Sequence, residues 1–303
     1  MAAGSASKLR AATFCRCPGC HLIQQQPWVP QKAIGEFYGE NYLPYQDPKV
    51  WGRYGKFVAR SLKAQDRRRV RLVRRYAAHL ANHQNLQKDN APQVLDVGCG
   101  YPSFLQELLR QQKTLSAVGL DFKASGWENL AQNPRLELLE GTLASFANDS
   151  GDHHSRGPFS VITMWHYLEH DYDPLQSLQK CYNLLEPGGA LIIEVPDYNS
   201  WSRRIYGGSW AGYHTPRHTA AYTPVTLAKL VSTAGFQVEH QMRYGTMPAY
   251  TLWWLSQLER RRKPTTDFHY LFWSYVRGSA MFGILHYLER WFPLGLQTLI
   301  ARK

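Results

Sequence analysis

The stretch Val94-Leu95-Asp96-Val97-Gly98-Cys99-Gly100 decides the fold of this chain. An apolar strand ends in an acid and two glycines, and Ser103–Gln112 then takes helical spacing. Glycine lets the backbone turn tightly and lets a ligand approach where a Cβ would clash. Twenty-five positions after Asp96 a second strand ends in another acid, Val118-Gly119-Leu120-Asp121. A carboxylate there can accept hydrogen bonds from both hydroxyls of a ribose.

Outward from this core, short β-branched or aliphatic runs alternate with helical stretches. Strands are expected at Val94–Val97, Ala117–Asp121, Leu136–Glu140, Ser160–Trp165, Ala190–Val195, Phe236–Arg243 and Leu294–Arg302. Helices are expected at Ser103–Gln112, Ser125–Gln132, Pro174–Leu185 and Pro224–Ala234. The last has Thr223 as cap, Pro224 at the first helical position and Gly235 just past the end. The pattern predicts an α/β fold: a doubly wound, mostly parallel seven-stranded sheet with a helical insertion before the last strand. Upstream, Tyr54–Leu80 has helical spacing with a polar break at Gln65–Arg69, which suggests two helices, and His83–Ala91 reads as a polar linker.

The implied organisation is a cysteine-bearing leader (1–52), basic N-terminal helices (53–90), a core (91–249 with 293–303) and an aromatic, basic helical insertion (250–292). Of 303 residues, 44% are hydrophobic, which excludes a disordered chain. Five cysteines do not make a disulfide scaffold, and the first residues carry no apolar signal segment, so a reducing, cytoplasmic setting is expected. The net charge of +12 is uneven: residues 53–75 carry +9 and 250–292 carry +3, while 76–249 carry −4.

Two ligand classes suit the glycine loop. A dinucleotide fingerprint requires a third glycine where Ser103 stands, and Asp96 is a poor neighbour for a pyrophosphate. The same carboxylate suits the cationic amino-acid end of S-adenosylmethionine. At this point the chain resembles the class I S-adenosylmethionine-dependent methyltransferases over roughly 91–245 and again at 293–303. The resemblance rests on LDVGCG (95–100), Asp121, FSVITMWHYLEHDYDP (159–174), LLEPGGALIIEVPD (184–197), WAGYHTPRH (210–218) and YTPVTLAKLVSTAGF (222–236). It implies S-adenosylmethionine as cofactor, with Asp96, Gly98 and Gly100 at its methionine end and Asp121 at its ribose. Trp165 and His166 would lie beneath it. Two departures are Pro102, where the family often has glycine, and the lack of an adenine-side acid in Gly141–Ser145. Both would suit a non-catalytic protein that retains the fold.

Glu169, His170 and His218 are the candidate catalytic residues. In one reading His218 is a general base for an oxygen nucleophile, because a histidine titrates near working pH, and Glu169 and His170 are structural. In the other, Glu169, His170 and His218, with or without His166, hold a divalent metal. Ubiquinone-pathway O-methyltransferases and small-RNA 2′-O-methyltransferases carry a similar E-x-x-E-H set holding magnesium. Here His166 replaces the first glutamate, favouring a softer ion or none. A third role for His170 is structural, capping the following helix or the loop.

Cys15-x-Cys17-x-x-Cys20-His21 invites a zinc reading, but a tetrahedral site joins two separated knuckles and only one is present. The segment GEFYGENYLPY (35–45) resembles the stretch after the zinc-binding pair in bacterial relatives, so the leader reads as a shortened cysteine ribbon.

Twelve of the forty aromatics fall within 250–292. Arg277 in its second helix argues against a membrane span. The insertion is instead a packed subdomain, a substrate lid, an oligomer interface or an in-plane membrane contact. The partner expected is a small-molecule acceptor, hydrophobic or lipid-linked, methylated at oxygen, in a cytoplasmic enzyme with peripheral membrane contact through 250–292. The competing reading is an RNA or DNA methyltransferase using the arginine-rich 67–75 segment. The interleaved Val70, Leu72 and Val73 suggest core packing there, not a stacking groove.

Overall fold

The computed structural model describes residues 12–38, 48–83, 92–124, 126–128, 130–146, 158–261 and 267–303. The side chains of 77–83, 284, 286 and 287 are not described. The leader forms a hairpin of β1 (Thr13–Arg16) and β2 (Ile23–Gln26), and α1 (Gly55–His83) comes next. The core then runs β3 (Gln93–Val97), α2 (Ser103–Gln111), β4 (Ser116–Asp121), β5 (Leu136–Glu140), α3 (Leu143–Phe146) and β6 (Phe159–Trp165). It continues through α4 (Pro174–Leu184), β7 (Leu185–Pro196), α5 (Trp201–Tyr206), β8 (Ala220–Ala221), α6 (Pro224–Thr233) and β9 (Gln237–Met242). Two insertion helices, α7 (Ala249–Arg261) and α8 (Phe268–Leu288), precede the final strand β10 (Leu296–Arg302).

Seven strands form one sheet in the order β5-β4-β3-β6-β7-β10-β9, parallel except for β10, which runs antiparallel to β7 and β9. Every residue of β6 is buried, as a strand covered by helices on both faces requires. The chain winds outward from β3 in one direction and from β6 in the other. The crevice at the carboxyl ends of these two neighbours is therefore the expected ligand site. Asp96 and His166 both lie there.

The capping expected for α6 is present: Thr223 and Thr226 bond reciprocally, and Gly235 takes φ 107°. Two local expectations are corrected. Tyr54–Leu80 is not two helices, because α1 runs unbroken through Gln65–Arg69. Gln65, Asp66 and Arg69 face the crevice while Arg67 stays exposed; Asp66 is buried, as are Val70 and Val73 one turn on. Ser125–Gln132 is not a helix among its described residues. Gly126 turns at φ 81°, and the Trp127 indole donates to the Gly100 carbonyl at 2.8 Å. The linker expected at His83–Ala91 falls outside the described residues from 84 onward.

The leader hairpin joins the body by pairing β2 to β8, Ile23 opposite Ala221, and by stacking Phe14 on Tyr213 at 4.4 Å. Its cysteines are free thiols. Backbone N–H groups of Cys20, Gly19 and His21 and the Cys20 thiol surround the Cys17 sulfur and lower its pKa.

Candidate active site

The glycine loop is pinned to β4. Gly98 and Cys99 donate their N–H groups to the Leu120 carbonyl, at 2.8 and 3.1 Å. Gly98 has φ 74°, and a Cβ on it would lie 2.6 Å from the Tyr167 ring, so no other residue fits. Gly100, at φ 51°, donates to Asp121 Oδ2 at 2.8 Å, and Lys123 N–H donates to Oδ1 at 3.1 Å. Asp121 is thus held in place at the cavity wall. Asp96 accepts from the Thr163 hydroxyl at 2.6 Å. Burial pushes its pKa up to about 7, against the pull of Thr163 and Arg69.

Arg69, on α1, is the cation that the sequence reading overlooked. Its guanidinium lies 4.9 Å from the Trp165 ring, 3.9 Å from Asp66 and 3.3 Å from the Thr246 hydroxyl. The one signal was its phase: Arg69 shares the inward side of α1 with Val73 and Tyr76. Trp165 lines the same cavity, and its indole N–H is buried without a partner.

His166 does not join the other two histidines. It stands at φ 57°, with Nε2 3.0 Å from Glu194 Oε1 and Nδ1 3.5 Å from Glu169 Oε1. Burial alone would disfavour the imidazolium. The two carboxylates outweigh it and raise the histidine to about 9. Burial likewise works against the Glu194 carboxylate, but His166 holds it down at about 2. The ionised pair closes the floor of the cavity.

Glu169, His170 and His218 do come together, with one ligand atom from each within 4.8 Å of the others. Thr219 brings them there: its N–H donates to the Glu169 carbonyl at 2.8 Å and its hydroxyl to the Asp171 carbonyl at 2.6 Å. His218 Nδ1 is 2.8 Å from the Gly212 carbonyl, which can only accept, so Nδ1 carries the proton and Nε2 keeps its lone pair. His170 Nδ1 likewise donates to the Arg217 carbonyl at 3.1 Å and to the Tyr38 hydroxyl oxygen at 2.8 Å. Burial lowers both histidines, His218 well below its ordinary value, so both are neutral. Both carboxylate oxygens of Glu169 are buried and lack a hydrogen-bond partner. His170 does not cap the next helix; Asp173 does, accepting from Gln176 N–H.

The leader reaches this cluster through Tyr38, buried between the T-shaped Phe122 ring, 5.1 Å away, and His170. The Phe37 carbonyl accepts from Arg217 at 2.8 Å. Tyr38→Phe removes one partner of His170 but keeps the ring, so turnover falls by roughly 10–100-fold. Binding of S-adenosylhomocysteine by calorimetry stays unchanged, and an equal loss there would show a collapsed loop instead.

The whole crevice is a cavity of about 1480 Å³. The cofactor residues and the cluster line one part, and Trp254, Leu255, Met247, Phe272 and Phe57 line the outer part. This winding of the sheet, with a glycine loop at its switch point bonded to an acid at the end of β4, is that of a class I S-adenosylmethionine-dependent methyltransferase. The chain belongs to the methyltransferase-domain family, whose match covers residues 63–241. The ubiquinone biosynthesis O-methyltransferase of Escherichia fergusonii is 27% identical over 183 residues, 58% of this chain. The chain spans 65% of that relative's length. An S-adenosylmethionine-dependent methyltransferase from Mesorhizobium loti superposes with TM-score 0.47 at 14% identity, covering 75% of this chain and 98% of that one. For the cyclopropane synthase MmaA2 of Mycobacterium tuberculosis the values are 0.46, 14%, 75% and 82%.

Proposed function

We propose that this methyltransferase acts on a hydroxyl oxygen of a hydrophobic, lipid-linked acceptor held between α1, α7 and α8. The observation that supports it is the juxtaposition of a buried Glu169 carboxylate, whose nearest partner is His166 at 3.5 Å, and two imidazole lone pairs with aromatic and apolar residues lining the same cavity.

Asp96 and Arg69 offer opposite charges to the amino and carboxylate groups at the methionine end of the donor, and Asp121 holds the ribose. The acceptor oxygen attacks the sulfonium methyl, the C–O bond forms as the S–C bond breaks, and a neutral thioether leaves. The hydroxyl proton passes to Nε2 of neutral His218. The outer wall strips water from the nucleophile and aligns it.

The residues also fit a divalent ion. Glu169, His170 Nε2 and His218 Nε2 would hold it, and two imidazoles with one carboxylate suit Mn²⁺, Fe²⁺ or Zn²⁺ better than Mg²⁺. Such an ion acts as a Lewis acid that acidifies the acceptor hydroxyl. Of the readings open for 250–292, a lid over the acceptor fits this proposal, because Trp254 and Leu255 of α7 and Phe272 and Tyr275 of α8 line the cavity.

The test is labelled-methyl transfer to matched phenols with and without an alkyl tail, assayed in detergent. Each pair of buried methylenes is expected to raise kcat/KM by roughly tenfold. Preference for the tail-free phenol, or methylation at nitrogen alone, overturns the reading.

A further inference from the structure

The outer face of α1 carries a charge pattern that the methyl-transfer site does not use. Lys56, Arg60, Lys63, Arg67, Arg71 and Arg74 recur at steps of four, three, four, four and three, and all six are exposed. That spacing places them in one stripe along the helix, about 27 Å long. Asp66 is the sole acid of α1, and it is buried on the inward flank of the helix, beside Arg69. Glu107 of α2, beside the stripe, is neutralised by Arg110 at 2.8 Å and Arg67 at 3.4 Å.

At its start α1 packs beside α8. Tyr54 stacks on Phe272 at 4.0 Å and Phe57 meets the same ring at 5.1 Å. Phe272 touches Trp273 at 5.4 Å. On α8, Tyr270, Trp273, Arg277 and Met281 follow helical spacing and are all exposed, Met281 by 86%. Phe57 and Leu62, 50% and 39% exposed, also line the cavity and so form its rim. No helix among the described residues is long and apolar enough to cross a membrane.

We propose that the α1 stripe and the α8 aromatic row form a docking face for an anionic lipid bilayer, onto which the acceptor cavity opens. A row of cations without acids matches a negatively charged surface. Exposed Trp, Tyr, Phe and Met beside it match the boundary between headgroups and acyl chains, where amphipathic rings settle. A nucleic acid would match the charge and part of the aromatic row. Single-stranded bases would stack on such rings, but Met281 and the apolar cavity behind the rim offer them nothing, whereas a bilayer delivers a hydrophobic acceptor without passage through water. The choice of bilayer over nucleic acid rests on the hydrophobic-acceptor reading, but the docking is measurable without any acceptor.

The experiment is co-sedimentation of the full chain with phosphatidylcholine vesicles, with and without about a third phosphatidylglycerol, at low and high salt. Binding is expected to the anionic vesicles and to weaken with salt. Arg60→Gln/Arg71→Gln/Arg74→Gln, outside the cavity, should lower partitioning on the order of a hundredfold, since each cation contributes about fivefold. Trp273→Ser/Met281→Ser should lower it while preserving the salt dependence. Melting temperature and S-adenosylhomocysteine affinity should match wild type in both. Equal binding to both vesicle types, full retention in the triple variant, or binding to an RNA duplex but not to vesicles overturns the proposal. If vesicle binding fails while tailed phenols are still methylated in detergent, docking falls and the acceptor reading stands.

Discussion

Replacing Glu169 by Gln, or His218 by Ala, is expected to lower methyl transfer by about 10²–10⁴-fold while leaving S-adenosylhomocysteine binding within a factor of two or three. Neither side chain belongs to Asp96, Arg69 and Asp121, the set proposed to hold the donor, so the loss should fall on kcat. Glu169 is 1% exposed and its carboxylate oxygens have no hydrogen-bond partner, an arrangement that stability alone disfavours. The neutral isostere therefore has a second signature. Glu169→Gln keeps the shape and removes only the longer of the two carboxylate contacts to His166, with Glu194 still at 3.0 Å, so the melting temperature should drop only slightly. His218→Ala opens a hole beside Gly212 and should melt lower. Activity lost with stability kept in Glu169→Gln separates chemistry from scaffolding. Near-wild-type turnover in both variants would remove the cluster from the reaction.

Asp96→Asn is expected to weaken S-adenosylhomocysteine binding on the order of a hundredfold, through loss of a charge-assisted hydrogen bond and an ion pair. The carboxyl of the free protein titrates near 7, because burial disfavours its charge. The donor's ammonium requires the charged form. Affinity should therefore fall as pH drops below about 7, approaching tenfold per unit, and level off above it. The stability linkage runs the other way. An acid whose folded pKa lies above its unfolded value stabilises the fold at low pH and loses that contribution as pH rises through about 7. The unliganded Asp96→Asn protein should thus melt higher than wild type at pH 8 and show no step in affinity between pH 6 and 8. Calorimetry and melting curves at the two pH values check both signs. A pH-independent affinity in wild type would place the donor's amino group elsewhere.

Much of the site was legible from short-range pattern. Glycines at 98 and 100 and acids at 96 and 121 sit at strand ends, where turn geometry and cofactor chemistry restrict the choice of residue. The triplet Glu169, His170 and His218 was legible as a candidate set but not in its division of labour. His166 resembled a fourth member, yet Glu194, on the neighbouring strand, captures it. Tyr38 stands in the quoted GEFYGENYLPY segment, but its role was not legible there, since that role depends on a hydrogen bond to a residue 132 positions away. Gln65–Arg69 looked like a helix break because polar residues fell on the inward side. They are inward because that side of α1 faces the cofactor crevice and not only the core.

The sequence by itself determined the sheet, its winding and the donor loop, because periodicity and strand-end glycines act over a few residues. Tertiary structure alone decided which groups carry charge and which offer lone pairs. The carbonyls of Gly212 and Arg217 set the histidine tautomers, Glu194 fixes the charge of His166, and burial raises Asp96. The physical reason is that protonation responds to dielectric surroundings and to partners within a few ångströms, and those partners are remote in the chain. The basic excess, a sum in the sequence, became in the same way a single stripe on α1, leading to the rim of an apolar cavity.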